Sequence, residues 1–115
     1  MWICSTLGYF SIVRSDRDPN AFLVRTRTAR DLDTLKAAVG IEKEIIVLPN
    51  TDYAARIIVD AEELGKIFST LQSSIDYSNF KNKIYATPSQ KDKSDSYGEI
   101  WRVMYQYQSE DSVID

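Results

Sequence analysis

Twice along this chain a stretch of alternating apolar and polar positions runs straight into a capped amphipathic stretch. In the first copy, Phe22–Arg27, Val24 and Thr26 fall on one side, and Arg25 and Arg27 on the other. That period of two is the signature of a half-buried strand. Thr28 then stands where a helix N-cap is needed, and Asp31 falls in the first turn, where the helix dipole favours a carboxylate. Leu32, Leu35 and Val39 recur at helical spacing, and Gly40 follows where a left-handed residue closes a helix. In the second copy, Tyr53–Val59 is the strand. Asp60 and Glu63 have capping-box spacing, and Leu64, Ile67, Phe68 and Leu71 form the apolar stripe expected to pack.

The remaining elements follow from the same patterns. Trp2–Arg14 reads as strand with a bend near Gly8, Tyr9, Ser11 and Val13 lying on one face and Phe10 and Ile12 on the other. The polar turn 15–20, with Pro19 and Asn20, makes an antiparallel hairpin with the next strand the natural pairing. Glu44–Leu48 is a short strand ended by the turn 49–52. Asp76–Lys81 enters a short helix that stops before Pro88, with Asp76 or Ser78 as its cap. The segment 88–94 is a loop or helix start. Tyr97, Ile100, Trp101, Met104 and Tyr105 recur at helical spacing to about Gln108, and 109–115 reads as a frayed acidic tail. The order predicts a single α+β domain over 1–108, in which an antiparallel sheet of two ββα units carries helices on one face, with helical additions at the C-terminal end. A ferredoxin-like variant with rearranged strand order is the alternative.

Composition narrows the chemistry. A length of 115 residues suits one ordinary domain. The net charge of -3 argues against generic nucleic-acid or membrane-surface binding, which need a basic face, but leaves room for a local basic patch. The absence of histidine removes the commonest general base and zinc ligand. The lone Cys4 makes no internal disulfide and no thiolate cage, sits in an apolar stretch as an expected core residue, and points to a reducing cytoplasm. No run approaches the roughly 20 apolar residues of a membrane span. The glycines are isolated, so no phosphate loop is written here, and the carboxylate pairs lie near helix starts, where dipole effects account for them. No cofactor, metal or catalytic residue is expected, although carboxylate-based, metal-dependent hydrolysis leaves no tight spacing signature and stays open.

Three clusters remain as candidate sites. Arg25 and Arg27 face away from the core, and Arg56, between Ala55 and Ile57, joins them if one sheet face is open. Arginine suits bidentate phosphate or carboxylate recognition, and Tyr9 and Tyr53 offer stacking surfaces of the kind that bind single-stranded nucleic acid. The bland alternative is a wet strand face with each arginine paired to Asp or Glu. The second cluster is polar, Asp76, Asn79 and Lys81, with helix entry as its ordinary explanation. The third is the C-terminal helix, where Tyr97, Trp101 and Tyr105 share a stripe expected to pack on the body of the domain, while Tyr107 lies off it. Aromatics of this kind also serve as interface hot spots, including those of a homodimer.

Met1-Trp2-Ile3, Gly8–Val13, Val24–Arg27, Asp31-Leu32, Asp52-Tyr53 with Arg56, Asp76–Lys81, and Tyr97 with Ile100-Trp101 together resemble a family of small uncharacterised bacterial proteins. The resemblance covers most of the chain. It implies a complete stand-alone domain and marks the Arg25 strand and the Asp76–Lys81 cluster as family features, but brings no function with it. Thr26 and Thr28 depart from the more apolar residues common there. The expected function is a cytoplasmic, non-enzymatic binding domain acting through a protein partner or an anionic ligand. A nucleotide or single-stranded nucleic-acid binder on the arginine face is the main alternative, and a metal-dependent hydrolase is the third.

Overall fold

Strands β1 (Trp2–Ser5) and β2 (Gly8–Arg14) form a hairpin with Cys4 opposite Tyr9 and Ser5 opposite Gly8, so the bend expected near Gly8 is a full reversal. Gly8 has φ +149°, and a Cβ there would lie 2.8 Å from Asp31 Cγ and 2.9 Å from Phe10 Cζ. Only glycine fits. The Ser5 hydroxyl donates to the Gly8 carbonyl at 2.8 Å, and the buried Asp31 carboxylate accepts the Tyr9 N–H at 3.1 Å. In this computed structural model the backbone is described for residues 1–114 and the side chains for residues 1–110. The chain divides into two compact units, Met1–Asp76 and Tyr77–Asp115.

The first unit is a five-stranded antiparallel sheet in the order β1-β2-β3-β5-β4, with β3 at Ala21–Thr26, β4 at Ile46–Val47 and β5 at Ala55–Asp60. Helix α1 (Ala29–Val39) follows β3, and α2 (Ala61–Ser73) follows β5. The chain is α+β, as the pattern predicts. The ββα description and the ferredoxin-like one are compatible: β3, α1 and β4 form a crossover split by β5, and β2 flanks β3 on the other side. The expected strand 44–48 shrinks to Ile46–Val47, and β5 starts at Ala55, after Tyr53.

One face of this sheet builds the core. Phe10 and Ile12 of β2, Val24 of β3, and Ala55, Ile57 and Val59 of β5 are buried with Leu32 and Leu35 of α1 and Ile67 and Leu71 of α2. Leu64 packs partly against this cluster, whereas Phe68, expected in the same stripe, is exposed. At 3.6 residues per turn, centring Ile67 and Leu71 on the sheet rotates Phe68 to the flank. The caps differ from each other. Asp60 accepts from the Glu63 N–H at 2.8 Å, and Glu63 accepts from the Asp60 N–H at 3.0 Å, so the capping box forms. Thr28 occupies the N-cap position of α1 without a side-chain cap bond, while its carbonyl accepts the Thr26 hydroxyl at 2.6 Å. Gly40 closes α1 with φ 79°, its N–H donating to the Lys36 carbonyl at 2.8 Å.

The second unit contains α3 (Phe80–Ala86), a 3-10 turn at Lys91–Lys93 and α4 (Ser94–Ile114). Asn79, not Asp76 or Ser78, caps α3 by accepting the Asn82 N–H at 2.9 Å. Phe80 lies 5.4 Å, centroid to centroid, from Tyr97, which is buried, as is Ile84. Trp101 and Tyr105, expected to pack with Tyr97, are instead 53% and 55% exposed and stack on each other at 5.2 Å. Length explains this, because α3 has 7 residues and α4 has 21. A helix of roughly 10 Å cannot cover one of roughly 30 Å. Helix α4 runs through Ser109 and Glu110, which the sequence pattern assigned to the tail; the side chains of the rest of that tail, 111–115, lie outside the described residues. No helix among the described residues is long and apolar enough to cross a membrane.

Candidate functional site

The face of the sheet opposite the core brings the predicted arginines together. Ser11 on β2 pairs with Arg25 on β3, Arg25 with Arg56 on β5, and Arg56 with Ile46 on β4, so the four form one continuous row. In the next row Val13 pairs with Leu23, and Leu23 with Ile58. Two arginines directly opposite on neighbouring strands repel, since like charges at this spacing are destabilising. Among the described residues neither arginine is paired with a carboxylate. The ion-paired wet face therefore describes only Arg27, whose guanidinium meets Asp52 at 3.1 Å and also donates to the Asp52 carbonyl.

Neutral groups hold the pair in place. Arg25 donates to the buried Ser11 hydroxyl at 2.7 Å, and its Cζ lies 4.6 Å from the centre of the Tyr53 ring. Arg27 covers the same ring at 4.0 Å. Arg56 donates to the Tyr53 carbonyl at 3.0 Å and to the Thr51 hydroxyl at 3.2 Å. The Thr51 hydroxyl also contacts the carbonyls of Leu48 and Tyr53 at 2.7 Å, which ties the turn before β5 into a fixed support. Cation–π contact orients a guanidinium without cancelling its charge. The Nε atoms of Arg25 and Arg56 are both buried and have no hydrogen-bond partner. A buried donor without an acceptor costs about 1–3 kcal/mol.

These guanidiniums lie in an open groove of about 770 Å³, lined also by Val13, Leu23, Leu48 and Ile58 and bordered by Arg14–Asp18. The bordering turn is well held. The Ser15 hydroxyl accepts the N–H groups of Arg17 and Asp18 at 3.1 and 3.2 Å, and the Asp18 carboxylate accepts the Asn20 N–H at 2.9 Å. Arg14 donates to the Pro19 carbonyl and lies over Phe22, 4.6 Å from its ring centre.

Other expectations change. Tyr53 is 4% exposed beneath two guanidiniums, so it is a positioning group rather than a stacking platform. Tyr9 stays half-buried. Its phenol titrates above the ordinary value, first because neighbouring atoms desolvate it and then because of Tyr53 and Cys4. Cys4 is exposed rather than in the core, because strand alternation turns Ile3 inward and Cys4 outward beside Tyr9. Desolvation still raises its thiol pKa, which keeps it a thiol rather than a nucleophilic thiolate.

Asn79 is spent on capping α3, Lys81 places its Nζ 4.4 Å from the centre of the Trp101 ring, and Asp76 closes the first unit. On α4, Tyr107 is exposed, as its position off the stripe implied. Among the described residues, no group of acidic or cysteine side chains is arranged to hold a metal ion. The sequence pattern did not single out Leu23 and Ile58 as lining the groove, nor Ser11 and Thr51 as hydrogen-bond partners of its arginines. Alternation places Ser11, Leu23 and Ile58 on the outer face, but nothing local says which of them meet. No protein-family model, curated protein or solved structure matches this chain.

Proposed function

We propose that this protein is a non-enzymatic, cytoplasmic binding domain that takes up an oxyanion, carboxylate or phosphate, on Arg25 and Arg56. One observation carries the reading: two arginines on directly paired positions of β3 and β5, both lining the open groove and neither paired with a carboxylate among the described residues. A planar guanidinium offers parallel donors that match two oxygens of one anion. An anion bound by the pair relieves their repulsion. The burial of Tyr53 favours a bare oxyanion over a stacked base, and the net charge of -3 disfavours a polyanion. The lone, exposed, unactivated Cys4 suits a reducing compartment.

Thermal unfolding in phosphate and in acetate, with ionic strength held constant by chloride, tests this reading. The expected result is a rise in Tm that disappears when Arg25→Gln and Arg56→Gln are combined. An equal rise in the double variant, or none in the native chain, rejects it.

A second reading rests on α4. Trp101, Met104, Tyr105 and Tyr107 are all exposed on it, an aromatic-rich surface of the kind that anchors protein partners, a second copy included. Sedimentation of the native chain against Trp101→Ala tests it. Self-association lost in the variant supports the homodimer form.

A further inference from the structure

The groove has two chemically different ends, and the step between them is the same on both central strands. Leu23 precedes Arg25 by two residues on β3, and Ile58 follows Arg56 by two on antiparallel β5, so the apolar pair lies beside the cationic pair. Two residues along a strand span roughly 6.6 Å. Val13 extends the apolar row onto β2, and Leu48 borders the same groove. Ile58 and Leu48 are exposed, and a β-branched apolar residue left wet in a central strand is out of character for a sheet face that only solvent meets. A bare phosphate or acetate held by the arginines would leave that row uncovered.

Resting on the oxyanion reading above, we infer that the ligand is a small amphipathic anion: a carboxylate or phosphate head held by Arg25 and Arg56, with an aliphatic body lying on Leu23 and Ile58. The volume of about 770 Å³ falls within the range of small-molecule sites, roughly 300–1,000 Å³. Polarity bounds the body at the far side. Beyond Val13 the groove ends at Ser15–Asp18, where Asp16, Arg17 and Asp18 present charge rather than apolar surface. A body of a few carbons therefore fits, and a long chain would run onto a charged rim. Neither strand carries a carboxylate on this face between the arginines and the apolar row, so nothing there repels the head or its first carbons.

Isotope-labelled protein titrated with acetate, butanoate, hexanoate, hexyl phosphate and hexanol, followed by amide chemical shifts, tests the inference. Affinity is expected to rise from acetate to hexanoate, by up to about fourfold per methylene, the limit set by full burial of each CH₂. Hexanol should bind at least tenfold more weakly than hexanoate. The hexanoate and hexyl phosphate arms identify which head the arginines prefer. Ile58→Ser, at an exposed position, should flatten the chain-length series, and Leu48→Ser is an independent second variant. Arg25→Gln should weaken every acid together. Acetate and hexanoate binding equally well would overturn the amphipathic ligand and leave the oxyanion site standing. Failure of all the acids and hexyl phosphate to bind would remove both.

Discussion

Two rows of side chains, one residue apart along the same strands, lead opposite lives. Ile12, Val24 and Ile57 pair across β2, β3 and β5 and are buried in the core. Their neighbours Ser11, Arg25 and Arg56 pair across the same strands on the other face, where the two arginines border an open groove. The backbone ladder is common to both rows, so the strands do not distinguish them. What differs is what the side chains meet: apolar groups of α1 and α2 on one face, and on the other the Tyr53 ring, two hydroxyls and a space with no acceptor. The core face is satisfied internally. The outer face is held in position by neutral groups, with two buried Nε–H donors left without an acceptor.

The sharpest way to break this contrast is at two adjacent isoleucines, Ile57, fully buried, and Ile58, 46% exposed. Ile57→Ala should cost about 2–5 kcal/mol, because it removes buried methylenes and leaves a cavity. Ile58→Ala should stay within about 1 kcal/mol, close to other surface changes. Urea unfolding midpoints check both, and equal costs would mean that the outer face is as buried as the core.

The edge of the core face offers the next largest effect. Gly8→Ala combines a φ of +149° with a Cβ 2.8 Å from Asp31 Cγ. A loss of about 1–3 kcal/mol is expected from the backbone strain, read as a lower Tm. An unchanged Tm would show that the hairpin and Asp31 move apart freely.

The smallest effect belongs to the outer face. The Tyr9 phenol has a raised pKa in the folded chain, with desolvation as the first cause. The unfolded phenol ionises first, near 10, so the associated stability is intact below about pH 10 and is lost as pH rises through the folded value. Exposed Cys4, also raised, shifts in the same direction. Stability measured between pH 9 and 11 should therefore fall less steeply in Tyr9→Phe than in the native chain. The same slope in both would remove Tyr9 from the account.

Much of this contrast was legible before any coordinates. The alternation in Phe22–Arg27 set Arg25 against Val24, and the capping pair Asp60 and Glu63 announced α2. Other features were not, and each failed where a distant segment decides. Phe68 carries the same helical spacing as Ile67, yet the sheet accepts only one of the two at its centre. Trp101 and Tyr105 continue the stripe of Tyr97, but α3 ends too early to meet them. Tyr53 looked like a free ring until Arg25 and Arg27 closed over it.

Periodicity, caps and composition by themselves determined the element types, the α+β class and the side of each strand that carries arginine, because those properties depend on neighbours a few positions away along the chain. Tertiary structure alone decided that Arg25 stands opposite Arg56, that Ser11 and Tyr53 hold the pair, and that Leu23 and Ile58 lie beside it. Those contacts depend on the register between β3 and β5, which α1 and β4 separate in sequence. A slip of one residue there would turn every side chain of one strand to the wrong face, and only burial of the whole core selects the register that is seen.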